Sequence, residues 1–442
     1  MKQCKIMNKN EDNISSVNSG AADDQRYTSV IDPRAAVVNH GNIQTLREVF
    51  ARAQQGEPLT VAFLGGSITH GSLASSPETC YAYRVYEGIR NRFPQADVKY
   101  VNAGIGGTDS QFGVARVSDD VLRYDPDLVF IEFSVNDEEG AHAMETYEGL
   151  VRRVLSFRNS RTGRASAIVL IHNMYYDDGK SAEACHVRVG KYYDLPCLSI
   201  KSSIYPAVAA GKIPKAELTP DGLHPNDTGH GLIAGVILDF LHEVMDEATD
   251  QSQQGTPMQR EDLGRVQHSE SADKMNTAAD MTAVNSKEAV EGSKRKFPLT
   301  ENDYENSVRR DNRNSTPALE GFVKNPARQQ GITDCFKNGW YASKRGDRIR
   351  FETEGSSLAV QFRQTIQGSA PVARATVDGV EEKAVLLDAN FDETWGDNLK
   401  LVTLAEHIEG GKHQVKVEIV KEAEGEKTMP FELISVISSG KI

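Results

Sequence analysis

The residue types able to pass a proton from an attacking hydroxyl lie in two short blocks of this chain. Ser67 stands in Gly65-Gly66-Ser67, and Asp221 precedes His224 by three positions in LTPDGLHPNDTGH. In a compact turn a carboxylate at that spacing reaches the imidazole Nδ1–H, fixing the tautomer and leaving Nε2 free to take a serine proton. The chemistry implied is nucleophilic attack on an acyl carbonyl, with the charge of the tetrahedral intermediate left to neutral N–H donors. Two further blocks offer such donors. The glycines of VNAGIGGTDS let a backbone N–H approach an oxygen closely, and Asn136, in FSVNDEEG, supplies an amide donor with no competing charge.

Each block alone has a plainer account, because Gly-Gly-Ser is a common tight turn and Asp227 and Thr228 are ordinary helix caps. Competing motifs fail residue by residue. A phosphate loop needs Gly-Lys-Ser/Thr where this loop has Ile68-Thr69-His70, and the α/β-hydrolase elbow needs glycine at Thr69. A dinucleotide fingerprint starting at Gly104 would need its last glycine at Asp109, and the loop follows the second strand instead of the first. His70, His142, His172, His186 and His230 show no HExxH or paired-ligand spacing, so they read as packing or surface residues. No metal or organic cofactor is expected.

The blocks sit where positioning elements end. TVAFLG, VKYVNA, LVFIEFS and AIVLIHN are near-continuous apolar strands, separated by helical stretches near 78–93, 111–124 and 142–158; PCLSI follows a helix near 180–194. Such alternation predicts a parallel sheet covered on both faces, with ligand loops at the carboxyl ends of its strands. A last helix ends near 248. Residues 1–26 and 249–296 lack the apolar content to order themselves and read as a flexible tail and a disordered linker. After Phe297, DRIRFETE, SLAVQFRQT, ARATVDG, KLVTLAEH and HQVKVEIV alternate apolar with polar residues, as in an antiparallel β-sandwich of jelly-roll-like type over 297–442. The unit 27–248 holds every proposed catalytic group and is expected to fold alone, with the sandwich serving larger substrates.

Together the four blocks make the chain resemble the SGNH hydrolase family, also called GDSL esterases, over roughly residues 58–245. The resemblance implies a flavodoxin-like three-layer α/β/α domain and a triad of Ser67, Asp221 and His224. It also implies an oxyanion hole formed by Gly107, Asn136 and the Ser67 backbone. Two positions depart from the family pattern: Gly66 stands where the Gly-Asp-Ser-Leu motif has its acidic residue, and Ser134 replaces the glycine of the third block. An SGNH domain joined to a sandwich resembles carbohydrate esterases that remove O-acetyl groups. That suggests an ester-bearing small molecule or oligosaccharide as substrate, with Trp340 and Trp395 as candidate sugar platforms. A lipid or thioester acylhydrolase and a noncatalytic carbohydrate-binding protein are the alternatives; the polar loop THGSLASSPETCYAY counts against the first and the intact Ser, Asp and His against the second.

Composition narrows the partners. A net charge of −13 repels phosphate backbones and anionic lipid surfaces, and no run approaches the ~20 apolar residues that span a bilayer. Neither nucleic acid nor membrane is an expected partner, and the sequence sets no oligomeric state. MKQCKIMNKNEDNISS lacks an apolar signal core, giving an expected cytoplasmic location. Cys4, Cys80, Cys185, Cys197 and Cys335 are scattered and read as reduced thiols.

Overall fold

The computed structural model describes residues 25–253, 296–393 and 395–440. The expected tail and linker therefore lie outside the described residues except at their edges. Gln25–Tyr27 forms a 3-10 turn whose Arg26 meets Glu217 at 2.8 Å, and the last helix of the first domain continues to Gln253.

Strands β1 (Val37–Asn39), β2 (Leu59–Gly65), β3 (Val98–Gly104), β4 (Leu128–Glu132), β5 (Ala167–His172) and β6 (Cys197–Ser199) form one sheet in the order β1-β6-β5-β4-β2-β3. All pairs are parallel except the unforeseen edge strand β1, which runs against β6. Helices α1 (Gln44–Gln54), α2 (Ser67–His70), α3 (Tyr81–Arg92), α4 (Ser110–Asp120), α5 (Ala141–Ser156), α6 (Glu183–Tyr193), α7 (Ile200–Ser203), α8 (Tyr205–Ala209) and α9 (Asp227–Gln253) complete the domain. Strand periodicity sorts the two layers. Val61 and Phe63 of β2 join the core beneath α1, α3 and α9, while Ala62 and Leu64 join the one beneath α4, α5 and α6. Phe63 stacks on Phe130 of β4 at 4.6 Å.

The second domain is two antiparallel sheets. One contains β7 (Val308–Arg310), β9 (Val323–Lys324), β10 (Trp340–Ala342), β12 (Ser357–Gln364), β15 (Asn398–Ala405) and β17 (Phe431–Ser439). The other contains β8 (Ala318–Glu320), β11 (Arg348–Gly355), β13 (Val372–Val377), β14 (Val385–Asp388) and β16 (Gly411–Lys421). The alternating stretches became β11, β12, β13, β15 and β16. Strand β17 escaped that pattern because both its faces are covered: Phe431, Leu433 and Val436 enter the sandwich core, whereas Ile434 and Ile437 meet the first domain.

That second contact changes the expected division of the chain. Ile105, Phe112 and Ala115 of the α/β domain share an apolar cluster with Ala359, Leu399, Ile434 and Ile437 of the sandwich. Gln111 and Thr403 hydrogen bond across it at 3.0 and 3.1 Å. Residues 297–307, expected to begin the sandwich, instead strap α5. Asp303 N–H donates to Glu145, Arg152 pairs with a buried Glu305 at 2.7 Å, and Tyr304 packs into the α/β core. The first sandwich strand starts only at Val308.

Ending the chain at Gln253 would strip apolar cover worth roughly 25 cal/mol per Å² from Ile105, Phe112 and Ala115. The fragment 25–253 is therefore expected to melt below the full chain and to bind a hydrophobic dye. A fragment with the melting temperature of the whole protein would contradict the shared core.

Candidate active site

Strand pairing brings the blocks to one height, because β2 matches Gly65 with Gly104 of β3 on one side and with Glu132 of β4 on the other. Three loops thus leave the same sheet edge side by side. The first turns at once into α2, whose opening residue is Ser67, only 7% exposed. A Cβ on Gly66 would lie 2.0 Å from Asn136 Oδ1, so a larger residue here, such as the motif's acidic one, would displace the Asn136 amide.

Ser67 Oγ lies 2.8 Å from His224 Nε2, and His224 Nδ1 lies 2.7 Å from Asp221 Oδ2. The other carboxylate oxygen, Oδ1, accepts from the backbone N–H groups of Leu223 and His224 and from Thr219 Oγ1 at 2.9, 2.8 and 3.1 Å. Partial burial raises the Asp221 carboxyl, but the hydrogen bonds from His224 and Leu223 outweigh it and hold the group at about 2. Asp221 is thus an anion at neutral pH. It favours the tautomer with the proton on Nδ1, which turns an unprotonated Nε2 toward Ser67.

The second loop approaches from β3. Gly107 adopts φ +69°, a left-handed conformation that favours glycine, and a Cβ built on Gly106 would lie 3.7 Å from Ser67 Cβ. Asn136, from the third loop, lies against Gly66, and its Oδ1 has no hydrogen-bond partner among the described residues. Ser67, Gly107, Asn136, Asp221 and His224 therefore converge. The loop after the nucleophile is tied to α9 by Asp227, which accepts from Ser75 N–H at 2.8 Å and Thr79 Oγ1 at 2.7 Å. Asn226 instead caps that helix, through Gly229 N–H.

Comparison with known proteins places this arrangement. The model of the GDSL-like Lipase/Acylhydrolase family matches residues 63–232. The crystal structure of a two-domain esterase (CEX) active on acetylated mannans is 45% identical and superposes with a TM-score of 0.79, over 93% of this chain and 99% of that one. The chain belongs to the GDSL-like esterase family. The same esterase co-crystallised with mannopentaose gives a TM-score of 0.80 at the same identity and coverage. No curated protein matches the chain. This protein is a carboxylic ester hydrolase built from a parallel α/β domain and an antiparallel sandwich.

The candidate sugar platforms part company. Trp340 is wholly buried in the sandwich core, edge-on to Phe351 at 5.1 Å, and cannot touch a substrate. Trp395 is 59% exposed, and a Cβ on Gly107 would lie 3.7 Å from its ring and 3.1 Å from Asn398 Oδ1. The sandwich therefore borders the site, and no sequence pattern marked Asn398. Of the remaining histidines, His172 and His186 are buried, His142 pairs with Glu406 across the domain junction, and His230 accepts from Tyr81 N–H. Cys80, Cys185, Cys197 and Cys335 are buried free thiols, and no group of three or more possible ligands among the described residues could hold a metal ion. No helix among them is long and apolar enough to cross a membrane.

Behind the site, Ser134 fills its departure from the family pattern with a hydroxyl within 3.0 Å of Glu132 Oε1, to which its backbone N–H also donates. Burial nevertheless pushes the Glu132 carboxyl up to about 7. An unfolded chain releases this proton near ~4.3. Between those values the folded state binds a proton that the unfolded state has lost, so stability falls as pH rises through that window. Glu132→Gln, neutral throughout, should raise the melting temperature relative to wild type more at pH 8 than at pH 4; the reverse order would contradict the buried acid. Ser67→Ala should fold normally and lose turnover by about 10⁵- to 10⁶-fold, and Asp221→Asn should lose about 10⁴-fold, measured on nitrophenyl acetate. A Ser67→Ala protein keeping a tenth of the activity would remove Ser67 from the reaction.

Proposed function

We propose that this esterase removes O-acetyl groups from mannan-type oligosaccharides through an acyl-enzyme on Ser67. His224 takes the Ser67 proton as Oγ attacks the acetyl carbonyl, while Asp221 holds and stabilises the imidazolium. The oxyanion rests on the N–H groups of Ser67 and Gly107 and the side-chain amide of Asn136. His224 then protonates the departing sugar hydroxyl, and a water deprotonated by His224 releases acetate and frees Ser67. None of these steps routes a proton or electron pair through a metal.

The observation that carries the substrate class is the exposed Trp395 ring beside Gly107. An aromatic face at that point can lie against a pyranose ring while its acetyl group enters the oxyanion site. A cavity of about 620 Å³ continues beyond it, lined by Phe336, Arg363, Gln367, Trp395, Lys427 and Met429, wide enough for further sugar units. Arg363 is held there by Asp397 and Glu432 and lies over the Phe336 ring at 5.0 Å. The relative that is 45% identical acts on acetylated mannans, which supports the same polymer class here.

Contacts remote from the reacting carbonyl raise kcat/KM only for substrates long enough to make them. Trp395→Ala should therefore lower kcat/KM for acetate release from acetylated mannooligosaccharides by about tenfold, the equivalent of ~1.4 kcal/mol of lost contact. Nitrophenyl acetate turnover should stay within about twofold on the same reasoning. Equal losses on both substrates would mean that Trp395 shapes the site instead of holding sugar.

A further inference from the structure

The two loops that supply Gly107 and Asn136 follow different strands, β3 and β4. One side chain bridges them directly. Asp137, next to Asn136, accepts from Ser110 N–H at 2.8 Å through Oδ1; Ser110 opens α4, three residues after Gly107. Its other oxygen, Oδ2, lies 2.8 Å from His186 Nε2 on α6. Both side chains are essentially shut off from solvent, at 3% and 0% exposure. His186 is fixed in turn by face-to-face stacking on Tyr147 of α5, at 3.7 Å and 6° between planes, and its Nδ1 has no partner among the described residues.

This bridge is rigid for physical reasons. A buried carboxylate must keep hydrogen-bond donors on both oxygens, and here one donor is the first N–H of a helix, where negative charge is favoured. Asp109 already accepts from Phe112 N–H at the same helix end, so Asp137 is the second carboxylate there. A second anion is not needed to cap α4. What it adds is a link from the Gly107 loop to the Asn136 loop and on to α6.

We propose that Asp137, held by His186, is a positioning residue that sets the separation of the two loops forming the oxyanion hole. This rests on the roles given above to Ser67, Gly107 and Asn136. The acceptor atoms should matter more than the charge. Asp137→Asn keeps an oxygen for Ser110 N–H and, with His186 in its other tautomer, a donor for the imidazole; Asp137→Ala removes both.

The test compares wild type, Asp137→Ala, Asp137→Asn and His186→Phe on an acetyl ester and on the matching thionoester, whose C=S sulfur fits an oxyanion hole poorly. Misplacing one donor in such a hole costs about 10²-fold in kcat. Asp137→Ala should lose kcat by about that factor with little change in KM. Its oxoester-to-thionoester ratio should collapse toward one, and Asp137→Asn should recover most of both. His186→Phe keeps a ring on Tyr147 and should shift the ratio in the same direction by a smaller factor, so the question stays open to refutation if the alanine variant does not fold. A folded variant of either residue with the wild-type ratio would overturn the proposal. Fluorophosphonate labelling of wild-type Ser67 separates the two readings: absence of labelling would fail the nucleophile assignment, whereas labelling with an unmoved ratio would fail only the role of Asp137.

Discussion

The site depends on the register of three parallel strands. Because Gly65 pairs with both Gly104 and Glu132, the chain leaves β2, β3 and β4 at one level of the sheet edge. Segments separated by tens of residues then emerge a strand's width apart, about 4.8 Å. Shifting any of these strands by one residue would move its loop along the edge and exchange its two faces, burying the wrong side chains in both cores. The continuous apolar run that buries β2 on both faces between β4 and β3 is therefore the same constraint that places Ser67 beside Gly106 and Asn136. Crowding follows from it, and the glycine at 66 is the local answer to an asparagine amide pressed against the nucleophile's turn.

The sandwich belongs to this arrangement more closely than a tethered module would. Phe112, at the start of α4, has Arg116 of its own helix 5.3 Å from its ring centre and Arg309 of β7 at 5.1 Å. Arg116 is fully buried, pairs with Asp120 and donates to the Gly65 carbonyl, two residues before Ser67. Packing of the second domain thus reaches the backbone of the nucleophile's strand through one aromatic ring and one guanidinium. On the outer side, the loop before β15 carries Trp395, and the start of β15 carries Asn398, to Gly107. Holding residues of one domain beside a loop of the other needs a stable domain junction, and the apolar cluster around Phe112, Leu399 and Ile434 provides it.

Beneath the loops lies a layer of buried polar groups: Glu132, Ser134, Asp137, His172 and His186. Most are hydrogen-bonded to backbone or to one another, as burial demands. Their cost in desolvation is offset by the definition they give to loops that, as irregular backbone, have no ladder of their own. Asp227 does similar work at the surface by tying the loop after Ser67 to the helix that follows His224.

What the sequence by itself determined was whatever depends on neighbours along the chain. The Asp221–His224 pair closes within one turn, so its spacing was informative. Continuous apolar runs ending in small or polar residues marked β2 to β5 and the loops that follow them, and period-two alternation marked β11 to β13, β15 and β16. Tertiary structure decided what depends on distant partners. Trp340 and Trp395 both stand among polar and glycine neighbours, yet one fills a core and the other faces solvent at the site, because only the fold assigns Trp340 to a strand between β9 and β17. Strand β17 hid its period because two cores cover its two faces, residues 297–307 were read as sandwich because their partners on α5 lie some 150 positions earlier, and His186 read as packing until α6 brought it to Asp137. Local chemistry and periodicity are written in consecutive residues, whereas burial and long-range pairing exist only once the chain has folded back on itself.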